Sequence, residues 1–212
     1  KCFTIFNRAL TAAEVLDLYR NGINEADKWG SQTALYTSDF SAGTNGWTAE
    51  NGTVDGNIDG IGGEDNWLRF TNDNLLNAKF LWKEFSNVRY GKKYRISYTY
   101  YIPSTNSHLT SIRIVDSGNG YPMDSIQSTL DTVVTRTVEW TEPFNSMTIR
   151  IYANGGSSYQ DPGGDDVFYI KNVTITEIGA TLALEPEGIQ PAPGQWLDSS
   201  SNKLHALQPA SG

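Results

Sequence analysis

Arginine and tyrosine side chains recur at alternate positions in three segments of the sequence, "YRISYTYYI", "SIRIV" and "MTIRIY". Successive side chains of a β-strand point to opposite faces, so the arginines, Tyr101 and Tyr152 are predicted to face solvent, while the isoleucines and the other tyrosines of the first segment point inward. Exposed rings stack on the apolar faces of sugars, and guanidinium forks donate hydrogen bonds to hydroxyls. Two more tyrosines lie in Gly-rich loops, where side chains are commonly displayed. The candidate carbohydrate-binding residues are Arg95, Tyr101, Arg113, Tyr121, Arg150, Tyr152 and Tyr159.

A structural role is the alternative for the same side chains. The rings would then pack on a second sheet or on a neighbouring subunit, and the arginines would pair with the acidic excess of the chain. Three tryptophans, Trp47, Trp67 and Trp140, are assigned to the core or to sheet packing. Trp82 fits either role.

Catalysis has little support in the sequence. The two histidines, His108 and His205, lie near no cysteine, and neither G-x-S-x-G nor H-E-x-x-H occurs. A glycosidase needs two carboxylates held about 5 to 10 Å apart. The acidic residues here cluster in turns instead of pairing on strands. We therefore predict that the protein is not an enzyme.

The elements that must position these residues are short strands. Seven segments between residues 34 and 178 have strand character, and no helical pattern separates them. This favours an all-β fold, an antiparallel jelly-roll β-sandwich. The stretch from residue 38 to 63 reads as turn-rich. The predicted strands are Trp67–Thr71, Lys79–Phe85, Lys93–Ile102, Thr110–Asp116, Thr132–Trp140, Met147–Tyr152 and Val167–Thr176.

The two ends of the chain differ from this middle part. "CFTIF" reads as a strand, and one short helix is predicted after it, with Thr11 as N-cap, Glu14 at the capping-box position and Gly22 at the end. After residue 178, Pro186, Pro191, Pro193 and Pro209 interrupt any regular helix.

Composition narrows the class further. The chain has 212 residues and a formal net charge of −8. Because nucleic-acid binders usually carry a basic face, we expect no nucleic-acid partner. One cysteine permits no internal disulfide. No apolar run approaches the roughly 18 residues of a membrane helix, so membrane insertion is not expected.

Four segments resemble known families. "FTIFNRALTAAEVLDLYRNG" resembles the closing segment of laminin G-like, concanavalin A-like lectin domains, and "WLDSSSNKLHA" resembles their opening. "SDFSAGTNGWTAENGTVDGN" and "DDVFYIKNVTIT" resemble the first and last parts of galactose-binding-like jelly rolls of carbohydrate-binding modules. The resemblance implies three parts in a longer polypeptide: 1–30 as the end of one lectin-like domain, 34–178 as the β-sandwich, and 179–212 as a Pro-rich linker or the start of another lectin-like domain.

The resemblance also implies a structural calcium site in the sandwich, for which Asp39, Asp165 and Asp166 are the candidate ligands. Calcium takes six to eight hard oxygen ligands. Lys171 stands where the last strand of these modules commonly has Asp, and a cation there would repel the ion. No other cofactor is expected.

The three-part layout resembles bacteriophage tail-fibre and other virion surface proteins. It implies a non-catalytic structural and glycan-binding module at a virion surface or outside the cell, with cell-surface glycans or other virion proteins as partners. A fibre would favour a homotrimer. Two alternatives stay open: an accessory carbohydrate-binding domain of a secreted polysaccharide-degrading enzyme, and a purely structural virion spacer.

Overall fold

The structure is a computed structural model of the chain. It describes residues 3–5, 9–12, 15, 34–73, 75–116, 121–154, 164–178, 182–185, 195–198 and 206–207. The chain forms two compact units. The larger unit comprises Leu35–Tyr90 and Arg95–Ile175, and the smaller one draws on both ends of the chain and on Gly91–Tyr94.

The described residues are built from strands connected by turns. In chain order the strands are β1 (Phe3–Ile5), β2 (Ala34–Ser38), β3 (Thr48–Glu50), β4 (Gly52–Ile58), β5 (Trp67–Asn72), β6 (Phe80–Phe85), β7 (Lys93–Tyr101), β8 (Ile112–Asp116), β9 (Tyr121–Pro122), β10 (Val134–Thr141), β11 (Met147–Ala153), β12 (Val167–Ile178), β13 (Leu182–Glu185), β14 (Gln195–Asp198) and β15 (Ala206–Leu207).

Two antiparallel sheets form a β-sandwich, which confirms the predicted fold class. The front sheet has the strand order β3-β6-β11-β8-β9. The back sheet has the order β10-β7-β12-β5-β4, with β2 also paired to β12. All seven predicted strands are present with bounds within two residues of those expected. The sequence missed four strands of these sheets, β2, β3, β4 and β9, of which β3 and β4 lie in the stretch expected to be rich in turns.

The core lies between the inward faces of the two sheets. Along β11 the buried residues alternate with half-buried ones, as the sequence pattern predicts. Ile96, Ile112 and Ile149 are at most 1% exposed, which confirms their predicted inward orientation. Among the residues that are no more than 1% exposed are Leu68, Phe70, Ile96, Tyr98, Phe168 and Ile170 in the back sheet, and Leu81, Ile112, Ile114, Met147, Ile149 and Ile151 in the front sheet.

The turn-rich stretch before β3 closes over this core. Phe40 is fully buried although its φ is 61°, a left-handed conformation that a bulky residue rarely adopts. Trp47 is 3% exposed, and its Nε1 donates a 3.0 Å hydrogen bond to Oη of Tyr36. A Cβ added at Gly56 in β4 would lie 2.2 Å from the backbone carbon of Gly43, so the turn at Gly43 approaches β4 too closely for a side chain at Gly56. This motif is therefore structural.

The smaller unit contains a sheet with the order β1-β13-β14-β15. Phe3 pairs with Leu184, and Leu184 pairs with Asp198, both in antiparallel register. Strands from the two flanking segments thus share one sheet. The assignment of these segments to lectin-like domains stays a prediction.

At the predicted helix start, the backbone N–H of Val15 donates a 3.0 Å hydrogen bond to the carbonyl of Thr11. This i to i−4 bond is the one that the capping pattern predicts at a helix N-terminus. Glu14 and Gly22 lie outside the described residues. Within the part of the chain that the structure describes, no helix is long and apolar enough to cross a membrane.

Candidate functional site

The outer face of the front sheet carries an unusual set of side chains. On β11, Thr148, Arg150 and Tyr152 point away from the core because they alternate with four buried neighbours. Cross-strand partners share a face, so the register extends this surface onto β6 and β8. We call the resulting surface the front face. Its residues are Phe80, Trp82, Arg113, Val115, Arg150 and Tyr152.

Two rows of the front face cross the strands. In the first row Trp82 on β6 and Val115 on β8 flank Arg150. In the second row, Phe80 and Arg113 flank Tyr152 in the same way. Neighbouring strands lie about 4.8 Å apart, so the front sheet spans about 19 Å from β3 to β9. A linear ligand lying across the strands would therefore contact several of these side chains in turn.

Contacts within the front face fix the orientation of its central residues. The rings of Phe80 and Tyr152 lie 4.7 Å apart between centroids, tilted by 48°. The guanidinium carbon of Arg150 lies 4.7 Å from the centroid of Phe80, a cation–π contact. Its Nη1 donates a 3.1 Å hydrogen bond to Oη of Tyr152. The groups that would contact a ligand are therefore held before it binds.

The cations of this face have no carboxylate partner among the described residues. No ion pair is formed there by Arg113 or Arg150, and the Nε atom of each is buried without a hydrogen-bond partner. Two acidic residues border the front face: Glu50, opposite Phe80 in the register, and Glu84, opposite Thr148. Both are exposed. The arginines occupy the β11–β8 half of the sheet, and the carboxylates occupy the β3–β6 half.

These two carboxylates are poorly placed for glycoside hydrolysis. Glu84 lies four positions along β6 from the partner of Glu50, so their α-carbons are about 14 Å apart. Hydrolytic pairs hold their carboxyl groups roughly 5 to 10 Å apart. The front face is suited to binding by stacking and hydrogen bonding.

Three of the seven predicted site residues come together on the front face: Arg113, Arg150 and Tyr152. Two others, Arg95 and Tyr101, lie on β7 in the back sheet. Nη2 of Arg95 donates a 3.1 Å hydrogen bond to Oε1 of Glu139. The arginine thus has the acidic partner that the structural alternative expected.

Tyr101 also has a packing role. Its ring lies 6.5 Å from Trp67 and 6.2 Å from Tyr169, and a Cβ added at Gly62 would come within 3.3 Å of it. Burial, together with the negative charge of Asp131, raises its pKa. Tyr121 is placed by its backbone in β9, in register with Asp116. Tyr159 lies outside the described residues.

The three candidate calcium ligands form no common site in the described residues. The carboxylate of Asp166 accepts backbone hydrogen bonds from Ser107 at 2.6 Å, His108 at 2.6 Å and Leu109 at 2.7 Å, which fixes a loop. Asp39 accepts from Ser41, and Asp165 is exposed. Among the described residues, no group of three His, Cys, Asp or Glu side chains converges as a metal would require. Calcium binding stays a prediction.

Sequence reasoning missed Phe80 and Val115 and left Trp82 undecided. The signal was present in "FLWKEF", where Phe80, Leu81 and Trp82 place apolar side chains on both faces of one strand. A strand that has one face in the core and one face in water should alternate apolar and polar residues. The excess apolar residues therefore mark a face that contacts something besides water.

The sheet order and buried interior define the class of fold as a jelly-roll sandwich of the carbohydrate-binding-module type. The CBM22-1 xylan-binding domain of Paenibacillus barcinonensis Xyn10C is similar, with a TM-score of 0.55 and 16% identity over 71% of this chain and 98% of that one. The CBM22-2 xylan-binding domain of the same protein has a TM-score of 0.52 and 16% identity over 68% and 99%.

A bacteriophage CBA120 tailspike protein reaches a TM-score of only 0.40, with 15% identity over 62% of this chain and 19% of that one. Such a score carries no argument for a virion protein. No family model matches the sequence, and no curated protein matches it either.

Proposed function

We propose that the β-sandwich is a non-catalytic module that binds polysaccharide chains on its front face. The observation that carries this proposal is the fixed arrangement of Trp82, Arg150 and Tyr152 across adjacent strands. Rings supply stacking surface for pyranose faces, and the arginine fork supplies donors for hydroxyls. Two structural neighbours described as xylan-binding domains support this function.

Binding at one such site would be weak, because a wet, shallow surface buries little of each sugar. Repeated copies in one assembly would raise the avidity by orders of magnitude without new contacts. The module would then attach its parent chain to an extracellular glycan.

Two kinds of parent protein fit this role. The xylan-binding neighbours favour an accessory domain of a secreted polysaccharide-degrading enzyme over a virion fibre. The tailspike similarity is too low to support the virion alternative or its homotrimer. The full-length polypeptide decides between them, because a catalytic domain in the same chain would identify an accessory module.

The test is affinity electrophoresis and calorimetry of the whole 212-residue chain with xylan, cellulose and mixed-linkage glucan oligosaccharides. Trp82→Ala should reduce affinity by about tenfold or more, the loss expected for one stacking contact at the centre of a site. Tyr90→Ala is the matched control, because Tyr90 is an aromatic residue 71% exposed outside the strands. Equal affinity of wild type and Trp82→Ala would refute the front face as the site.

A further inference from the structure

We infer that the front face selects acidic polysaccharides, which carry uronate carboxylates or sulfate esters along the chain. This inference rests on the proposed polysaccharide-binding function and names its substrate class. The observation that carries it is the pair Arg113 and Arg150, which form no ion pair with the described residues although the chain carries a net charge of −8.

The contrast with the other arginines of the sandwich is specific. Arg69 pairs with Asp55 at 2.8 Å, and Arg136 pairs with Asp124 at 3.0 Å. Arg95 pairs with Glu139 at 3.1 Å. The two arginines of the front face therefore differ from Arg69, Arg95 and Arg136, each of which has a carboxylate partner.

The surroundings of these two cations leave donor groups available. Arg150 makes one side-chain hydrogen bond, from Nη1 to Tyr152, and a guanidinium has five N–H donors. Arg113 makes no side-chain hydrogen bond to the described residues. Because the Nε of each arginine is buried, the Nη groups are the donors that a ligand can reach. A carboxylate or sulfate is the acceptor that matches a guanidinium fork, because two parallel charge-assisted bonds form at once.

Spacing supports a polymer over a single anion. Val115 is the cross-strand partner of Arg150, and Arg113 lies two residues before Val115 on β8. Such diagonal positions lie about 7 to 8 Å apart, so one small anion does not bridge both side chains easily. A glycan with charged groups on successive or alternate residues would pair with both arginines while Trp82 and Tyr152 contact its sugar rings.

The net negative charge of the protein limits the binding of acidic glycans to the front face. A net charge of −8 repels polyanions over most of the surface, so attraction must come from this local pair. Affinity for an acidic glycan should then decrease with salt, because screening weakens exposed charge pairs. Affinity for a neutral glycan should change little.

The experiment compares the whole chain on matched neutral and acidic polymers: xylan against glucuronoxylan, cellulose oligosaccharides against polygalacturonate, and a sulfated glycan as a separate arm. We expect acidic polymers to bind at least about tenfold more tightly at low salt. Raising the salt from about 50 mM to about 500 mM should remove most of this preference. Preference for uronates alone or sulfates alone would each support the inference and identify the anion.

Variants assign the effect to the two cations. Arg113→Gln with Arg150→Gln should lower the ratio of acidic to neutral affinity to within about twofold, while neutral binding itself weakens because Arg150 also donates to sugar hydroxyls. The matched control, Arg95→Gln, removes a paired arginine from the back sheet and should keep the preference. Arg→Lys at both positions retains charge without the fork, so an intermediate preference is expected.

The outcomes separate this inference from the function on which it rests. Binding of neutral and acidic polymers with equal affinity, sensitive to Trp82→Ala, would overturn the acidic preference and leave the polysaccharide-binding function intact. Binding of single-stranded DNA as tightly as the acidic glycans would also overturn it, because charge alone would then suffice. No binding to any polysaccharide would reject both.

Discussion

The guanidinium carbon of Arg150 lies 4.7 Å from the ring centroid of Phe80, and the ring of Phe80 is itself 9% exposed. The Phe80 ring on β6 thus lies beneath the guanidinium of Arg150 on β11. The backbone hydrogen bonds between these two paired strands fix the positions of both residues. A side chain held on rigid strands loses little conformational freedom on binding. This pair is therefore the structural centre of the proposed site.

The first prediction separates the two partners of Arg150. Tyr152→Phe removes only the 3.1 Å hydrogen bond from Arg150 and should weaken glycan binding by about twofold to tenfold, in line with the roughly 1 kcal/mol of one hydrogen bond. Phe80→Leu keeps apolar volume but removes the cation–π contact, so it should lower affinity for acidic glycans more than for neutral ones. Calorimetric titration measures both. Equal losses on both glycan classes would contradict the role of the Phe80 ring.

The inward and outward alternation of single strands was readable from the sequence because side-chain direction depends only on the chain itself. Ile96 and Ile149 are buried as predicted, and Arg95 and Arg150 are not. Alternation does not say which sheet a strand joins. Arg95 and Arg150 share outward parity, yet their strands belong to the back and front sheets.

Which residues come together on the front face depends on the pairing of strands that are distant in sequence. Trp82 and Arg150 are partners across 68 positions of sequence, and no local pattern fixes that register. Strand pairing is set by side chains of both strands and by the turns between them. Sequence reasoning therefore located half of the front face and could not assemble the rest.

The second prediction concerns a buried charge network in the sandwich. Both carboxylate oxygens of Asp124 accept hydrogen bonds from Arg136, at 3.0 and 3.1 Å, and Tyr98 Oη donates a further bond of 2.9 Å. Burial acts to raise the pKa of Asp124, but the bonds from Arg136, Tyr98 and Ser125 outweigh it and lower the pKa. The ion pair therefore stabilises the fold fully at pH values above the ordinary carboxyl pKa. This stabilisation is lost as the pH falls through the lowered pKa of folded Asp124.

Asp124→Asn should destabilise the sandwich by about 1 to 3 kcal/mol at neutral pH, because it removes the charge of a buried carboxylate that accepts three side-chain hydrogen bonds, while the 39% exposure of Arg136 limits the loss. Denaturant unfolding followed by tryptophan fluorescence measures the change. Asp55→Asn is the control, since it breaks an exposed pair with Arg69 worth less than about 1 kcal/mol. Similar losses in the two variants would show that the Asp124 network adds no special stability.

The third prediction follows from a carboxyl group buried near another one. Glu142 and Asp116 are both fully buried. Burial, together with the negative charge of Asp116, raises the pKa of Glu142 to about 7. Trp140 Nε1 and the Phe144 backbone N–H donate hydrogen bonds of 3.3 and 3.1 Å to it. Folded Glu142 thus retains its proton over a range in which the unfolded chain has released it.

The sign of the effect follows from proton linkage. Between about pH 4.5 and 7 the folded state binds more protons than the unfolded state, so this group lowers stability as pH rises. Glu142 lowers the free energy of unfolding by up to about 3 kcal/mol over this range, at about 1.4 kcal/mol for each unit by which its pKa is raised.

Glu142→Gln replaces the carboxyl by a neutral amide and should flatten the decrease in melting temperature from pH 5 to 8. Glu84→Gln changes an exposed carboxyl group and should leave the pH dependence unaltered. If the wild type and the Glu142→Gln variant lose stability in parallel over this range, Glu142 is already ionised in the folded protein and its burial does not govern the pH response.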